Sequence, residues 1–259
     1  MAGEILLARE GDIATVALSN PGKLNALDIG MWTRLGALVR ELDADKSLRA
    51  IVMRGAGEKA FAAGADISEF EKTRRSAKVA KKYGEQLEAT MAAIAGCRHP
   101  IVAMIRGACA GGGVEIITQC DLRICGASSR FGIPIAKLGL VVGYGEMAGL
   151  IDLVGRAAAM EILLEGRMLS AAEAREMGLV NRVVPDEQVE AETMAVARRI
   201  ADGAPLVARW HKKFARRLAS PGPVTKAERN EAYACFDTED FREGVKAFLA
   251  KRKPQFKGK

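Results

Sequence analysis

The stretch IVAMIRGACAGGGVEIITQCDLRICG, residues 101–126, leaves few architectures open. It runs from an apolar strand-like segment (101–107) through a glycine cluster into a helix carried by EIITQC. It then leaves as a second strand, DLRICG (121–126). Upstream, IATVAL (13–18) and AIVMRG (50–55) also read as strands. Between them, residues 28–42 place Trp32, Leu35, Leu38, Val39 and Leu42 at helical spacing, and 76–97 form a charged amphipathic helix. Strands recurring between helices argue an α/β fold. After about residue 157 the pattern turns helical over 172–178, 187–202, 205–220 and 240–253, with one apolar break at NRVVP (181–185). No low-complexity linker or clear internal repeat divides the chain, so we expect one α/β body with a helical C-terminal portion.

Composition removes several functions. Only two histidines, His99 and His211, are present, without metal-ligand spacing, and there is no G-x-S-x-G. A zinc enzyme and a Ser-His-Asp hydrolase are therefore not expected. The five cysteines (97, 109, 120, 125 and 235) are odd in number and form no CxxC, which favours reduced thiols in a cytoplasmic protein. No apolar run approaches the ~20 residues of a membrane-spanning helix, and MAGEILLARE lacks the basic region of a signal peptide. The net charge of +7 includes a tail with Lys246, Lys251, Arg252, Lys253, Lys257 and Lys259 and no acid after Glu243. Such a tail is a solvated end or a seat for a small polyanion. Nucleic acid is not expected, because no aromatic stacking platforms interleave the basic residues.

Two small-residue loops could carry chemistry. In FAAGADISEF (61–70), Gly64 would bend the chain, and Asp66 with Glu69 could form a capping box. In ACAGGG (108–113), Gly111, Gly112 and Gly113 open a helix but match neither a Walker A loop nor G-x-G-x-x-G. Three consecutive glycines increase the entropy lost on folding, which makes sense if a ligand touches the main chain; a plain structural turn is the other reading. Each loop could supply one free N–H, and two converging donors make an oxyanion hole. Glu115 falls in the first helical turn, where it either complements the dipole or acts as a base.

The ordered segments PGKLNALD, KAFAAGADISEF, IVAMIRGACAGGGVE, CDLRICGASSRFGIPIAKLGL, LLEGRMLSAAEAREMGLVNRVV and REGVKAFLAKRKPQF span essentially the whole chain. Together they closely resemble the enoyl-CoA hydratase/isomerase (crotonase) family. The resemblance implies a spiral of ββα units over residues 1–200, followed by C-terminal helices over 201–259 that serve oligomerisation and coenzyme A contacts. It implies a trimer or a dimer of trimers. It also implies an acyl-CoA thioester as substrate, with coenzyme A as part of that substrate and no further cofactor or metal.

By motif position, the resemblance puts the thioester oxygen between the amides of Ala65 and Gly112, and makes Glu115 one of two catalytic glutamates. Lys23, Leu24, Ala63, Gly64, Asp66 and Ile67 fall in substrate-binding segments, and Phe248 and Lys251 match residues that reach coenzyme A, often from a neighbouring subunit. The second glutamate of the pattern is replaced by Ile135, which carries no proton and dries the pocket. Downstream, VVGYGEMAG carries Tyr144 and Glu146 where the family has a small glycine-rich loop, and either could supply the missing group. Hydration of a 2-enoyl-CoA is the leading expectation. Isomerisation, decarboxylation or thioester hydrolysis through one carboxylate, or acyl-CoA binding without turnover, are the alternatives.

Overall fold

The computed structural model describes residues 2–259. Its strands, in chain order, are β1 (Glu4–Glu10), β2 (Ile13–Ser19), β3 (Ala50–Gly55), β4 (Ala60–Ala62) and β5 (Ile101–Ile105). β6 (Ala108–Ala110), β7 (Leu122–Gly126), β8 (Arg130–Gly132), β9 (Leu169–Ser170) and β10 (Arg182–Val184) follow. The helices are α1 (Ile29–Ala44), α2 (Phe70–Thr73), α3 (Ala77–Gly96), α4 (Gly112–Thr118) and α5 (Tyr144–Glu165). The remainder are α6 (Ala171–Glu176), α7 (Val189–Ala201), α8 (Pro205–Ala219), α9 (Lys226–Glu231) and α10 (Glu239–Leu249).

Six strands form one sheet in the order β1-β2-β3-β5-β7-β10, and four form a second in the order β4-β6-β8-β9. From β2 to β10 the larger sheet is parallel, with β1 added antiparallel at its edge. Each pair β3–β4, β5–β6 and β7–β8 sends its first strand to the large sheet and its second to the small one. The chain therefore climbs as a spiral of ββα turns, as the resemblance implied.

The strand pattern explains why both faces of the large sheet are dry. In β3, Ile51 and Met53 join the main core, which also holds Trp32, Leu35 and Leu38 of α1. Ala50 and Val52 point the other way, against Val189, Ala197 and Ala201 of α7. A strand covered on both sides reads as a continuous apolar run. Helix α1 starts where Asp28 accepts from Met31 N at 2.8 Å, and Ser76 caps α3 in the same way. Beyond α7, α8 is tied to the body by Lys212, which donates to His99 O at 3.0 Å and to the Asp121 carboxylate at 2.7 Å.

Three expectations are corrected. The segment 61–70 forms no capping box: Asp66 caps a short 3-10 turn (Ile67–Glu69), while Glu69 accepts from Ile29 N at 2.9 Å. The helix after the glycine cluster ends at Thr118 rather than running through Cys120. The helical region begins at Tyr144, not near 157, and bends at Gly155, whose φ of +76° interrupts α5.

Candidate active site

Three backbone bonds hold the 61–70 loop against the turn after β2. Ala63 N–H donates to Leu24 O at 3.0 Å, Leu27 N–H to Gly64 O at 2.7 Å, and Asp66 N–H to Leu27 O at 2.9 Å. Leu27 thus pairs with both neighbours of Ala65 in a one-residue parallel bridge. That pattern turns the N–H of Ala65 to the opposite side of the strand. Among the described residues, no backbone carbonyl accepts from it.

The Gly112 amide is free for a different reason. It opens α4, and the first N–H groups of a helix have no partner within it. The two loops meet in space. A Cβ on Gly64 would lie 3.7 Å from Gly111 Cα, and one on Gly111 would lie 3.6 Å from Gly64 Cα. Both residues adopt positive φ, +104° and +48°, which glycine tolerates without steric penalty. Each free amide belongs to the residue that follows one of these touching glycines.

Gly112 and Gly113 are glycines for packing. A Cβ on Gly112 would lie 2.8 Å from Trp32 Cζ2, and one on Gly113 would lie 2.6 Å from Ala62 O. The cluster lets α4 press onto β4 and α1, so close packing accounts for two of the three glycines, beside the ligand approach and the turn that the sequence left open.

Ala63, Gly64, Ala65, Gly112 and Glu115 line one cleft of about 600 Å³, together with Ile67, Ile135 and Glu146. Burial pushes the Glu115 carboxyl up to about 7; the nearby Glu146 charge raises it further, and Arg74 opposes both. A carboxyl poised near neutrality can take and return a proton at physiological pH. Ile135 sits in the 3-10 turn Pro134–Leu138 and packs partly against the core.

Tyr144 and Glu146 are separated by the geometry of α5. Two residues apart on a helix point about 200° from one another. Glu146 faces the cleft, whereas Tyr144 is 97% exposed and does not line it.

Several residues expected at the substrate are not among those lining this cleft. Lys23 bridges the Asp66 carboxylate at 2.6 Å and Ser68 Oγ at 3.0 Å. That contact, with help from Ser68, holds the Asp66 carboxyl below the usual carboxylate range. Leu24 supplies the carbonyl that holds Ala63. Lys23 and Asp66 brace the loop through their side chains and Leu24 through its main chain, and none of the three lines the cleft. Phe248 and Lys251, at the end of α10, also lie outside it.

Sequence reasoning missed Arg74, Phe70 and Tyr83, which all line the cleft. Arg74 stands in EKTRRS, a charge run that looks like a solvated face. Trp32 was read only as a core position of α1, yet it also forms cleft wall. Among the described residues, no group of three or more His, Cys, Asp or Glu could hold a metal ion.

Residues 8–259 match the sequence model of the enoyl-CoA hydratase/isomerase family. A probable enoyl-CoA hydratase of Rhizobium meliloti is 36% identical over 255 residues, covering 98% of this chain and 97% of the relative. A crotonyl-CoA hydratase of Syntrophomonas wolfei is 33% identical over 258 residues, covering 97% of each. The crystal structure of an enoyl-CoA hydratase/carnithine racemase from Magnetospirillum magneticum superimposes with a TM-score of 0.97 at 47% identity. It covers 98% of this chain and 96% of that one.

Proposed function

The chain belongs to the enoyl-CoA hydratase/isomerase family, and from that premise we propose that it adds water across the 2,3 double bond of an acyl-CoA thioester. The observation that carries this reading is the meeting of two unpaired amides, Ala65 and Gly112, beside a carboxyl raised to about 7. The thioester oxygen accepts from both amides, which draws electron density from Cβ. Such donors contribute roughly 2.7–4 kcal/mol each as charge develops on oxygen. Glu115 takes a proton from water as the water oxygen bonds to Cβ, and the electron pair moves through Cα to the thioester oxygen as an enolate. Collapse of the enolate returns a proton to Cα from Glu115 or Glu146. The sum is one water gained, with no net change in protein charge.

Glu146 takes the part of the second carboxylate, reaching the cleft from the first turn of α5 instead of from position 135. Tyr144 plays no direct part. Coenzyme A is carried by the substrate, and no other cofactor is required. Incubation with crotonyl-CoA, followed by loss of the conjugated-thioester absorbance, tests the reading; purified protein that binds crotonyl-CoA without turnover would overturn it.

The apolar Ile135 favours one second reading, a double-bond isomerase in which Glu115 alone moves a proton between carbons. A 3-enoyl-CoA converted to its 2-enoyl isomer faster than crotonyl-CoA is hydrated would select it.

The working form is a homotrimer or a pair of trimers. Support comes from the apolar side chains left exposed near the C-terminus, including Tyr233, Phe236, Phe248 and Leu249. Phe248 and Lys251 then reach coenzyme A bound to a neighbouring copy. Light scattering gives the count. We place the protein in the cytoplasm on its five free thiols; among the described residues, no helix is long and apolar enough to cross a membrane.

A further inference from the structure

One wall of the cleft presents hydrogen-bond donors that the proposed chemistry does not use. The Arg74 guanidinium carbon lies over two rings, 3.9 Å from the centroid of Phe70 and 4.3 Å from that of Tyr83. Cation–π contact with two rings holds a guanidinium in place without using up its N–H donors. No carboxylate among the described residues lies within ion-pair distance of it, although both cleft glutamates and Glu69 are in the neighbourhood. On the same wall, Trp32 is 1% exposed and its indole N–H is buried. The Tyr83 hydroxyl is the polar neighbour of that indole. Ala77, Ala80 and Leu87 complete the same wall with small or apolar groups.

A guanidinium left without an acceptor once a ligand displaces water is unfavourable, and an arginine on a wall otherwise made of rings and small apolar groups is hard to reconcile with a plain hydrocarbon tail. Resting on the acyl-CoA reading above, we propose that the preferred acyl group ends in a carboxylate, held by Arg74. The guanidinium fork matches a carboxylate in a bidentate manner. Arg74 is then the residue that selects a dicarboxylic thioester over a hydrocarbon one. A coenzyme A phosphate is the other anion that could meet this arginine, and the experiment separates the two.

Calorimetry without turnover is the test, using glutaryl-CoA, pentanoyl-CoA and free coenzyme A. The expected result is glutaryl-CoA binding at least tenfold tighter than pentanoyl-CoA. In Arg74→Met that ratio falls to near one, and Arg74→Lys recovers part of it. Comparing two ligands within each variant removes any general effect of the substitution on folding. Equal binding of the two thioesters by the natural chain would overturn the carboxylate proposal and leave the acyl-CoA reading intact. Equal weakening of all three ligands in Arg74→Met would put the arginine on a phosphate and also overturn it. Absence of binding by every ligand would remove both readings together.

Discussion

The carboxylate of Glu146 folds back over Gly143: a Cβ on that glycine would lie 2.5 Å from Glu146 Oε2. Gly143 is the N-cap of α5 with φ −67°, so alanine fits the backbone. Gly143→Ala should therefore displace a flexible carboxylate rather than the helix, destabilising the protein by less than about 1 kcal/mol. If Glu146 shares the proton traffic, hydration should drop by about tenfold or more, as in Glu146→Gln, with Tm nearly unchanged. Unaltered turnover in both variants would take Glu146 out of the reaction.

Glu115→Gln should retain acyl-CoA binding and lose ~10²–10⁴ in turnover, the usual weight of a general base. For the natural chain, kcat/KM should rise with pH through about 7, because the base form is needed and the folded carboxyl titrates there.

Stability should move in the opposite sense. The Glu115 carboxyl ordinarily titrates at 4.5 and in the folded state at about 7, so between those values the native form holds more protons than the unfolded one. Rising pH then destabilises the fold, by up to ~3 kcal/mol once the group is ionised. Glu115→Gln lacks this loss. Urea unfolding should find the variant and the natural chain equal below about pH 4.5 and the variant more stable above neutrality. Parallel stability curves would remove the raised titration.

Ile135→Glu would place a third carboxylate in a cleft that already holds two. Desolvation and like charge should lower the Tm and push the Glu115 titration higher still. At neutral pH the first unit of that push reduces the ionised base roughly fivefold, and each further unit about tenfold, so hydration should fall. Faster hydration of crotonyl-CoA would instead mean that position 135 was short of a carboxylate and that Glu146 does not replace it.

Asp121 accepts from Lys212 Nζ at 2.7 Å and from Ile101 N at 2.7 Å, and the Lys212 side chain is only 6% exposed. Asp121→Ala leaves a buried ammonium with only the His99 carbonyl. Loss of one partner from a fully buried pair costs roughly 3–5 kcal/mol; with Asp121 itself 31% exposed, the expected loss is about 1–3 kcal/mol. Neither residue touches the cleft, so kcat should hold while the urea midpoint falls.

The long elements were legible because they are amphipathic or continuously apolar over many residues. α1, α3, α7 and the strands β2, β3, β5 and β7 stand close to where the spacing put them. The three-residue strands β4, β6 and β8 were not legible; three residues carry no period, and pairing with one another is what makes them strands. In the site, glycine and acid positions could be read because they break local rules. Glu115 and the two loops stood out for that reason. Arg74 did not, since only the folded chain brings the rings of Phe70 and Tyr83 against it. Tyr144 and Glu146 looked equivalent until the start of α5 assigned them opposite directions.

The one-residue bridge between Leu27 and Ala65 makes an important donor invisible to side-chain genetics. Residue 65 is already alanine, so an alanine scan leaves it untouched, and most replacements keep an N–H at that place. The single codon change that removes the Glu115 carboxylate has no counterpart here, short of proline. Only a change of atom in the main chain, such as an ester in place of the amide at 65, reports directly on that donor. If the proposed mechanism holds, a mutational map of this protein would therefore show a bright acid at 115 beside a blank at 65, and the blank would be the oxygen's anchor.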